Sequence, residues 1–156
     1  GADLEVNLFN RTDERMRAIA DHLRAHGARE VKGLTADARI PGLDHERAKV
    51  DAEGIADADV VLVPLEDGDR AAALAEMGKV ELVVDLNPLS RSAQAADVPI
   101  VDNILRAIPN VTAHARELAE ADRETLEGIT ADFDAAATLA DAERAIRAGD
   151  LDSRRE

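Results

Sequence analysis

Two apolar runs, VVLVPL at Val60–Leu65 and VELVVDL at Val80–Leu86, constrain this chain more than any other feature. Each is far too short to span a bilayer. Each is also continuous rather than alternating, which reads as a strand buried on both faces. Between them, Asp69–Met77 has helical spacing and runs into Gly78, a residue that readily ends a helix. A strand, a helix and a second strand in that order imply parallel pairing through a crossover. LEVNLF (Leu4–Phe9) and VPIVD (Val98–Asp102) read as further strands. After the first of these, Thr12 or Asp13 caps a helix in which Met16, Ile19, Ala20 and Leu23 recur at helical spacing, ending near His26-Gly27. Residues from Ile104 onward are helical, with Pro109 predicting a break or a fresh start. The expected fold class is α/β, an open, mostly parallel sheet with flanking helices.

A length of 156 residues suits one domain with a real core. Residues 1–121 are expected to form that core. Composition shifts after about Asp122, where Arg123–Gly128 and Ala135–Ala148 read as two helices of a C-terminal appendage, 122–148, split by TADFD. Phe133 is the expected anchor that packs the appendage onto the body, and 149–156 reads as a frayed tail. No cysteine is present, which excludes disulfides, thiolate nucleophiles and cysteine zinc sites. No signal peptide is visible at the start, so a cytoplasmic location is expected. The chain opens at a strand without Met, and Gly1 therefore reads as a boundary within a longer protein.

In an open parallel sheet, ligands gather at the carboxyl ends of the strands. The unusual polar residues fall there: Asn10–Thr12 (NRT), Glu66–Asp69 (EDGD), Asp85–Ser92 (DLNPLSRS) and Asp102-Asn103. Any one such loop is more simply explained by turn chemistry, but four on one edge weaken that explanation. DLNPLSRS is the most specific. Pro88 keeps Asn87 extended, where its amide suits a purine edge or a ribose. Asp85 can accept from ribose hydroxyls, and Ser90, Arg91 and Ser92 can donate to phosphate oxygens. Neither GxGxxG nor GxxxxGK[ST] occurs, so no dinucleotide fingerprint or P-loop is claimed.

The second notable stretch is RIPGLDHERAKVD, Arg39–Asp51, which crowds cations into a chain whose formal charge is −14. Asp44 is expected to cap a helix reaching about Glu53, with His45 and Lys49 on one face and Arg47 paired to Asp51. Surface ion pairing accounts for Glu46, Arg47, Lys49 and Asp51 at little energetic weight. It leaves Arg39 and His45 unexplained, and an Arg, a His and a Lys near a helix start can hold a phosphate or carboxylate. On the residues alone both readings stand.

The segments EVNLFNRTDER, ARIPGLDHERAKVD, ADVVLVPLEDGDR, DLNPLSRSAQAADVPIVDN and RAIPN, in this order and at these separations, resemble the archaeal 4-phosphopantoate–β-alanine ligases, or archaeal phosphopantothenate synthetases. The resemblance runs from about Leu4 to the last helix. It implies a Rossmann-like fold, a homodimer, and ATP-dependent synthesis of 4′-phosphopantothenate for coenzyme A, releasing AMP and pyrophosphate. It places ATP at Asp85, Leu86, Asn87, Arg91, Ser92, Asn103 and Ile104. The 4-phosphopantoate falls by position and chemistry to Arg39, His45, Arg47 and Lys49, joined by Arg11. Of these, Arg39, His45 and Lys49 are the expected catalytic cations, held with Mg²⁺ where charge accumulates on phosphate. Glu66, Asp67 and Asp69 are candidate Mg²⁺ carboxylates, although a solvated acidic loop explains them better. Two departures stand out: Asn10 occupies a position where relatives are expected to carry an aromatic residue, and the family has a substantial segment before the first strand that is not in this sequence. A non-catalytic nucleotide-binding regulatory domain is the chief rival reading. A phosphoacceptor receiver domain is a weaker one, because Lys79 precedes its strand rather than ending it.

The charge has a particular texture: nineteen Asp to fourteen Glu, and sixteen Arg to three Lys. Such a surface argues against nucleic-acid binding and reads as salt-adapted, with carboxylate repulsion destabilising the fold when ions are scarce. The melting temperature should therefore rise as KCl goes from dilute to molar. A flat or falling trend in a thermal scan would contradict the salt-adapted reading.

Overall fold

The computed structural model describes residues 2–64 and 68–149. Leu65, Glu66 and Asp67 of the acidic loop, and the tail after Gly149, lie outside the described residues. The chain divides into two compact units, Gly1–Val61 with Asp69–Val80, and Leu62–Gly68 with Glu81–Glu156. The architecture is an open α/β fold with helices flanking a parallel sheet.

The first unit begins with β1 (Leu4–Glu5), followed by α1 (Asp13–Ala25) and β2 (Val31–Lys32), which pairs parallel to β1. Thr12 caps α1 by accepting from the Arg15 amide, and Asp13 and Glu14 in the first turn complement the helix dipole. The helical spacing read from the sequence is the one that is buried: Met16 and Ala20 pack with Val6 and Val31, with Ile19 and Leu23 at the edge. β1 is shorter than the six residues expected, although the Val6 amide still donates to the Lys32 carbonyl.

A second cluster in this unit joins Ile40, Leu43, Ala48 and Val50 to Ala73 and Leu74 of α2 (Gly68–Glu76). Here the expected helix over 44–53 does not form. A 3-10 turn at Glu46–Ala48 leads instead into β4 (Lys49–Val50), antiparallel to β3 (Ala38–Arg39). His45 and Lys49 therefore share no helix face. The expected Arg47–Asp51 pair is also replaced, because the Asp51 carboxylate accepts the Gly33 and Ala36 amides at 2.6 and 2.5 Å. The cause lies in β1 and the residues just after it. Glu5 accepts the Asp51 amide (3.0 Å) and the Ile55 amide (2.6 Å), while Asn7 donates to the carbonyls of Arg47 (3.2 Å) and Lys49 (2.9 Å). These backbone groups would otherwise build a helix ladder. Gly33 closes the same region at φ +92°, and a Cβ there would sit 2.2 Å from the Val6 carbonyl oxygen.

A three-stranded sheet has the order β5 (Val60–Val63), β6 (Val80–Val84), β7 (Val98–Ile100), with β6 and β7 parallel. The expectation of burial on both faces is corrected along β5, where Val61 and Val63 are buried but Val60 and Leu62 are 56% and 40% exposed. Lys79, just before β6, is buried and donates to the carbonyls of Ala56 and Ala58. That gives it a structural task in place of a strand-end role.

The second unit adds α3 (Arg91–Ala95), α4 (Ile104–Glu117), α5 (Arg123–Ala131) and α6 (Ala135–Ala148). α6 packs against α3 and β7. Ser90, Asn103, Asp122 and Asp134 cap α3, α4, α5 and α6 through their side chains. Pro109 sits inside α4, which continues through it rather than breaking. The carbonyl it deprives of a partner belongs to Leu105, which is 82% exposed, so water can serve it. Phe133 is 42% exposed and does not act as a buried anchor. No helix among the described residues is long and apolar enough to cross a membrane.

Burial raises the Glu5 carboxyl above the ordinary carboxylate value of 4.5, against the lowering effect of its two amide donors. A raised folded-state value means that its stabilising contribution is complete below the unfolded value and is lost as pH rises through the folded one. Wild-type stability relative to Glu5→Gln, which does not titrate, should accordingly fall as pH climbs from below 4.5. Urea unfolding at a series of pH values measures this, and a difference that rises with pH would contradict the assignment.

Candidate functional site

In the second unit, the carboxyl ends of the strands surround a cavity of about 200 Å³. Pro64 follows β5, Val84, Asp85 and Leu86 end β6, and Asp102, Asn103 and Ile104 join β7 to α4; all seven line the cavity. Strand ends and a helix start meet here because β6 and β7 are parallel neighbours. The cavity also receives the positive end of α4, which favours an anionic group. Of the seven nucleotide candidates read from the sequence, Asp85, Leu86, Asn103 and Ile104 line this cavity.

The DLNPLSRS loop is built around Asp85. One carboxylate oxygen accepts the Asn87 amide at 2.9 Å, and the other accepts the Ser90 hydroxyl at 2.6 Å. The Ser90 hydroxyl in turn accepts the Ala93 amide at 3.0 Å, capping α3. Asn87 adds a second short turn, its side-chain oxygen accepting the Leu89 amide. Pro88 is fully buried. Asp85 thus braces the loop, and the exposed Asn87 keeps its amide NH₂ free of hydrogen bonds among the described residues. Arg91 is exposed at the start of α3 and lies against Gly68, where a Cβ would approach the Arg91 Cβ to 2.6 Å. Ser92 is only 4% exposed. Asn103 caps α4 by accepting the Leu105 amide, and neighbouring Asp102 is engaged by Arg106 at 2.5 Å.

The first unit holds the cations. Lys49 Nζ lies 2.8 Å from Glu46 Oε2. The Glu46 carboxyl is held below its usual range, first by the hydrogen bond from Lys49 and further by the charges of Lys49, Arg11 and Arg39. Glu46 therefore marks where three of the sequence-predicted cations converge. Arg11 donates to the Gly33 and Leu34 carbonyls, and Arg39 to the Leu43 carbonyl. His45 packs on the ring of Phe9, with centroids 5.3 Å apart. Arg11 Nη1 and His45 Nδ1 are buried atoms with no hydrogen-bond partner among the described residues. A guanidinium N–H such as Arg11 Nη1 can only donate and is costly to leave unmet, which suits an anion-accepting surface. Arg47 is half-buried on the 3-10 turn, and its carbonyl is held by Asn7. Among the described residues no group of three or more His, Cys, Asp or Glu could hold a metal ion.

Sequence reasoning missed Glu46 as a centre, Pro64 as cavity lining, and Asn7 altogether. Only Asn7 carried a signal, being a polar residue inside an apolar run.

Residues 1–149 match the family described as phosphopantothenate/pantothenate synthetase. The chain belongs to that family. It is 56% identical over 141 residues to the 4-phosphopantoate–β-alanine ligase of Thermococcus kodakarensis, covering 90% of this chain and 54% of that protein. The Methanosarcina mazei protein of the same name is 48% identical over 142 residues, covering 91% and 56%. That of Methanospirillum hungatei is 47% identical over 146 residues, covering 94% and 58%. The chain thus spans about half the length of these relatives.

The Asp85–Ser90–Ala93 relay has a measurable consequence. Ser90→Ala removes both the helix cap and the hydroxyl that fixes Asp85, and should cost about 1 kcal/mol. Amide exchange at Asn87 and Ala93 should accelerate together. Unchanged protection at both sites would mean the loop is held by something else.

Proposed function

We propose that the chain carries the nucleotide and 4-phosphopantoate sites of an ATP-dependent ligase that joins 4-phosphopantoate to β-alanine, giving 4′-phosphopantothenate, AMP and pyrophosphate. The observation that carries this reading is family membership at 47–56% identity, spread across about nine-tenths of the chain, with relatives that share that activity in their names. The geometry is compatible with it at two places. ATP would occupy the strand-end cavity. Leu86, 66% exposed, offers an apolar wall to the base, the Asn87 amide a polar edge, and the start of α4 a home for negative charge. Arg91 and Asn103 complete the polar set, while Ser92 would contribute through its backbone.

The 4-phosphopantoate would lie against Arg11, Arg39, His45, Arg47 and Lys49. The substrate carboxylate attacks the α-phosphorus of ATP, expelling pyrophosphate and leaving a mixed anhydride with AMP. The amine of β-alanine then attacks the acyl carbon, AMP leaves with the bonding pair, and the amine gives up its proton. Cations that meet the phosphate more closely as charge builds on it favour the transition state over the ground state. Arg39, His45 and Lys49 are the groups assigned that role. Mg²⁺, when bound, would neutralise phosphate charge through the nucleotide itself. By the same resemblance the enzyme acts as a cytoplasmic homodimer.

Two sets of variants separate the sites. In the complete enzyme, Asn87→Ala and Arg91→Ala should weaken binding of an ATP analogue about tenfold without lowering the melting temperature. Arg39→Ala and Lys49→Ala should instead raise KM for 4-phosphopantoate at saturating ATP and β-alanine. If both of the latter keep wild-type kcat and KM, the cluster is a solvated face and the substrate assignment fails. Turnover of ATP to AMP only when both co-substrates are present excludes a purely regulatory nucleotide domain.

A further inference from the structure

Asn7 has a bonding pattern that no other common side chain of its size reproduces. Val6 and Leu8 turn into the Met16–Val31 cluster, so Asn7 projects from the opposite side of the extended segment. Its NH₂ donates to the carbonyls of Arg47 and Lys49, two residues apart, at 3.2 and 2.9 Å. Its oxygen accepts from the guanidinium of Arg70 at 2.5 Å. A guanidinium can only donate, so Arg70 fixes which end of the amide is oxygen and directs the NH₂ at the two carbonyls. Arg70 is itself 5% exposed and sits in the first turn of α2, whose Ala73 and Leu74 belong to the core cluster with Val50. The positive end of a helix does not itself favour a cation. Burial raises the Glu5 carboxyl and the Arg70 charge acts to lower it, so the guanidinium ties both polar side chains of this segment to α2.

We propose that Asn7 and Arg70 are positioning residues for the 4-phosphopantoate site, holding the backbone of 47–49 so that His45, Arg47 and Lys49 face the substrate phosphate together. The inference rests on the assignment of that cluster to 4-phosphopantoate. Without the Asn7 clamp, the carbonyls of Arg47 and Lys49 lose the side-chain donor that fixes them from the β1 side, which leaves the pairing with β3 to hold this backbone.

Asn7→Asp is close to isosteric but replaces the donating NH₂ with an oxygen facing two carbonyl oxygens. Calorimetric titration of 4-phosphopantoate and of an ATP analogue into the complete enzyme provides the test. Asn7→Asp should weaken 4-phosphopantoate about tenfold or more, while ATP-analogue affinity changes less than about twofold. Arg70→Met should act in the same direction, and Arg70→Lys, which keeps a donor for the Asn7 oxygen, should restore much of the loss. A purely structural role predicts something different: both ligands would weaken together, in step with the melting temperature, and Arg70→Lys would rescue neither selectively. That result, or an Asn7→Asp variant with wild-type affinity for 4-phosphopantoate, overturns the proposal. Should Asn7→Asp fail to fold, the Arg70→Met and Arg70→Lys pair decides by the same criteria. Arg39→Ala serves as the control for the underlying assignment. If it too leaves 4-phosphopantoate binding unchanged, the substrate site lies elsewhere and the relay falls with it. If Arg39→Ala weakens binding and Asn7→Asp does not, only the relay is wrong.

Discussion

The first unit depends on one pair of side chains that do opposite jobs from the same side of the chain. Glu5 accepts two amides of the segment 51–55, and Asn7 donates to two carbonyls of the segment 47–49. Together they replace the hydrogen bonds that a helix would have made for itself. Asp51 extends the arrangement by accepting from Gly33 and Ala36, and Asp37 by accepting from Ala52. Partly buried polar groups of this kind specify a conformation because each is costly to leave unsatisfied, so a slip of one residue would strand several at once. The unit is therefore fixed less by the size of its apolar clusters than by which amide meets which acceptor.

This also explains which features were legible in the sequence. Apolar patterning located β5, β6, β7, α1 and α2 to within a few residues, because each of them buries part of its apolar face. It could not place β3 or β4. The pattern HERAKV is compatible with a helix, and its actual path is dictated by Glu5 and Asn7, some forty residues earlier. Charge patterning misled in the same way: Arg47 and Asp51 are four apart, but the backbone of another loop claims Asp51 first. Pro109 was misjudged for the converse reason, since the lost hydrogen bond falls on an exposed carbonyl. For the candidate site, the loop after β6 was recognisable from Asn87-Pro88 and its flanking hydroxyls. That Asp85 spends both oxygens on bracing this loop was not, because a strand-end Asp that holds a ligand and one that holds its own loop are written alike.

Two of the three proposed substrates, ATP and 4-phosphopantoate, are polyanions, and the chain that would receive them carries a formal charge of −14. Local arrangement has to overcome the mean field. Glu46 is instructive here, as it pairs with Lys49 and its carboxyl is also lowered by the charges of Arg11 and Arg39. On the proposed assignment, an arriving phosphate would exchange one anion for another instead of meeting bare cations. Long-range attraction would then be weak, and selectivity would come from short-range geometry, which salt screens least.

The three lysines of the chain are all occupied. Lys32 reaches Asp3 and the Glu53 carbonyl, Lys49 is tied to Glu46, and Lys79 is buried between two carbonyls. Of the two lysines paired with an acid, Lys49 has the more accessible side chain, 40% against 15% for Lys32. An amine-selective reagent would thus read this protein almost residue by residue. Modification of Lys79 would report opening of the fold, and modification of Lys49 the state of the cation cluster. Three lysines in such different surroundings make labelling sites that come built into the sequence.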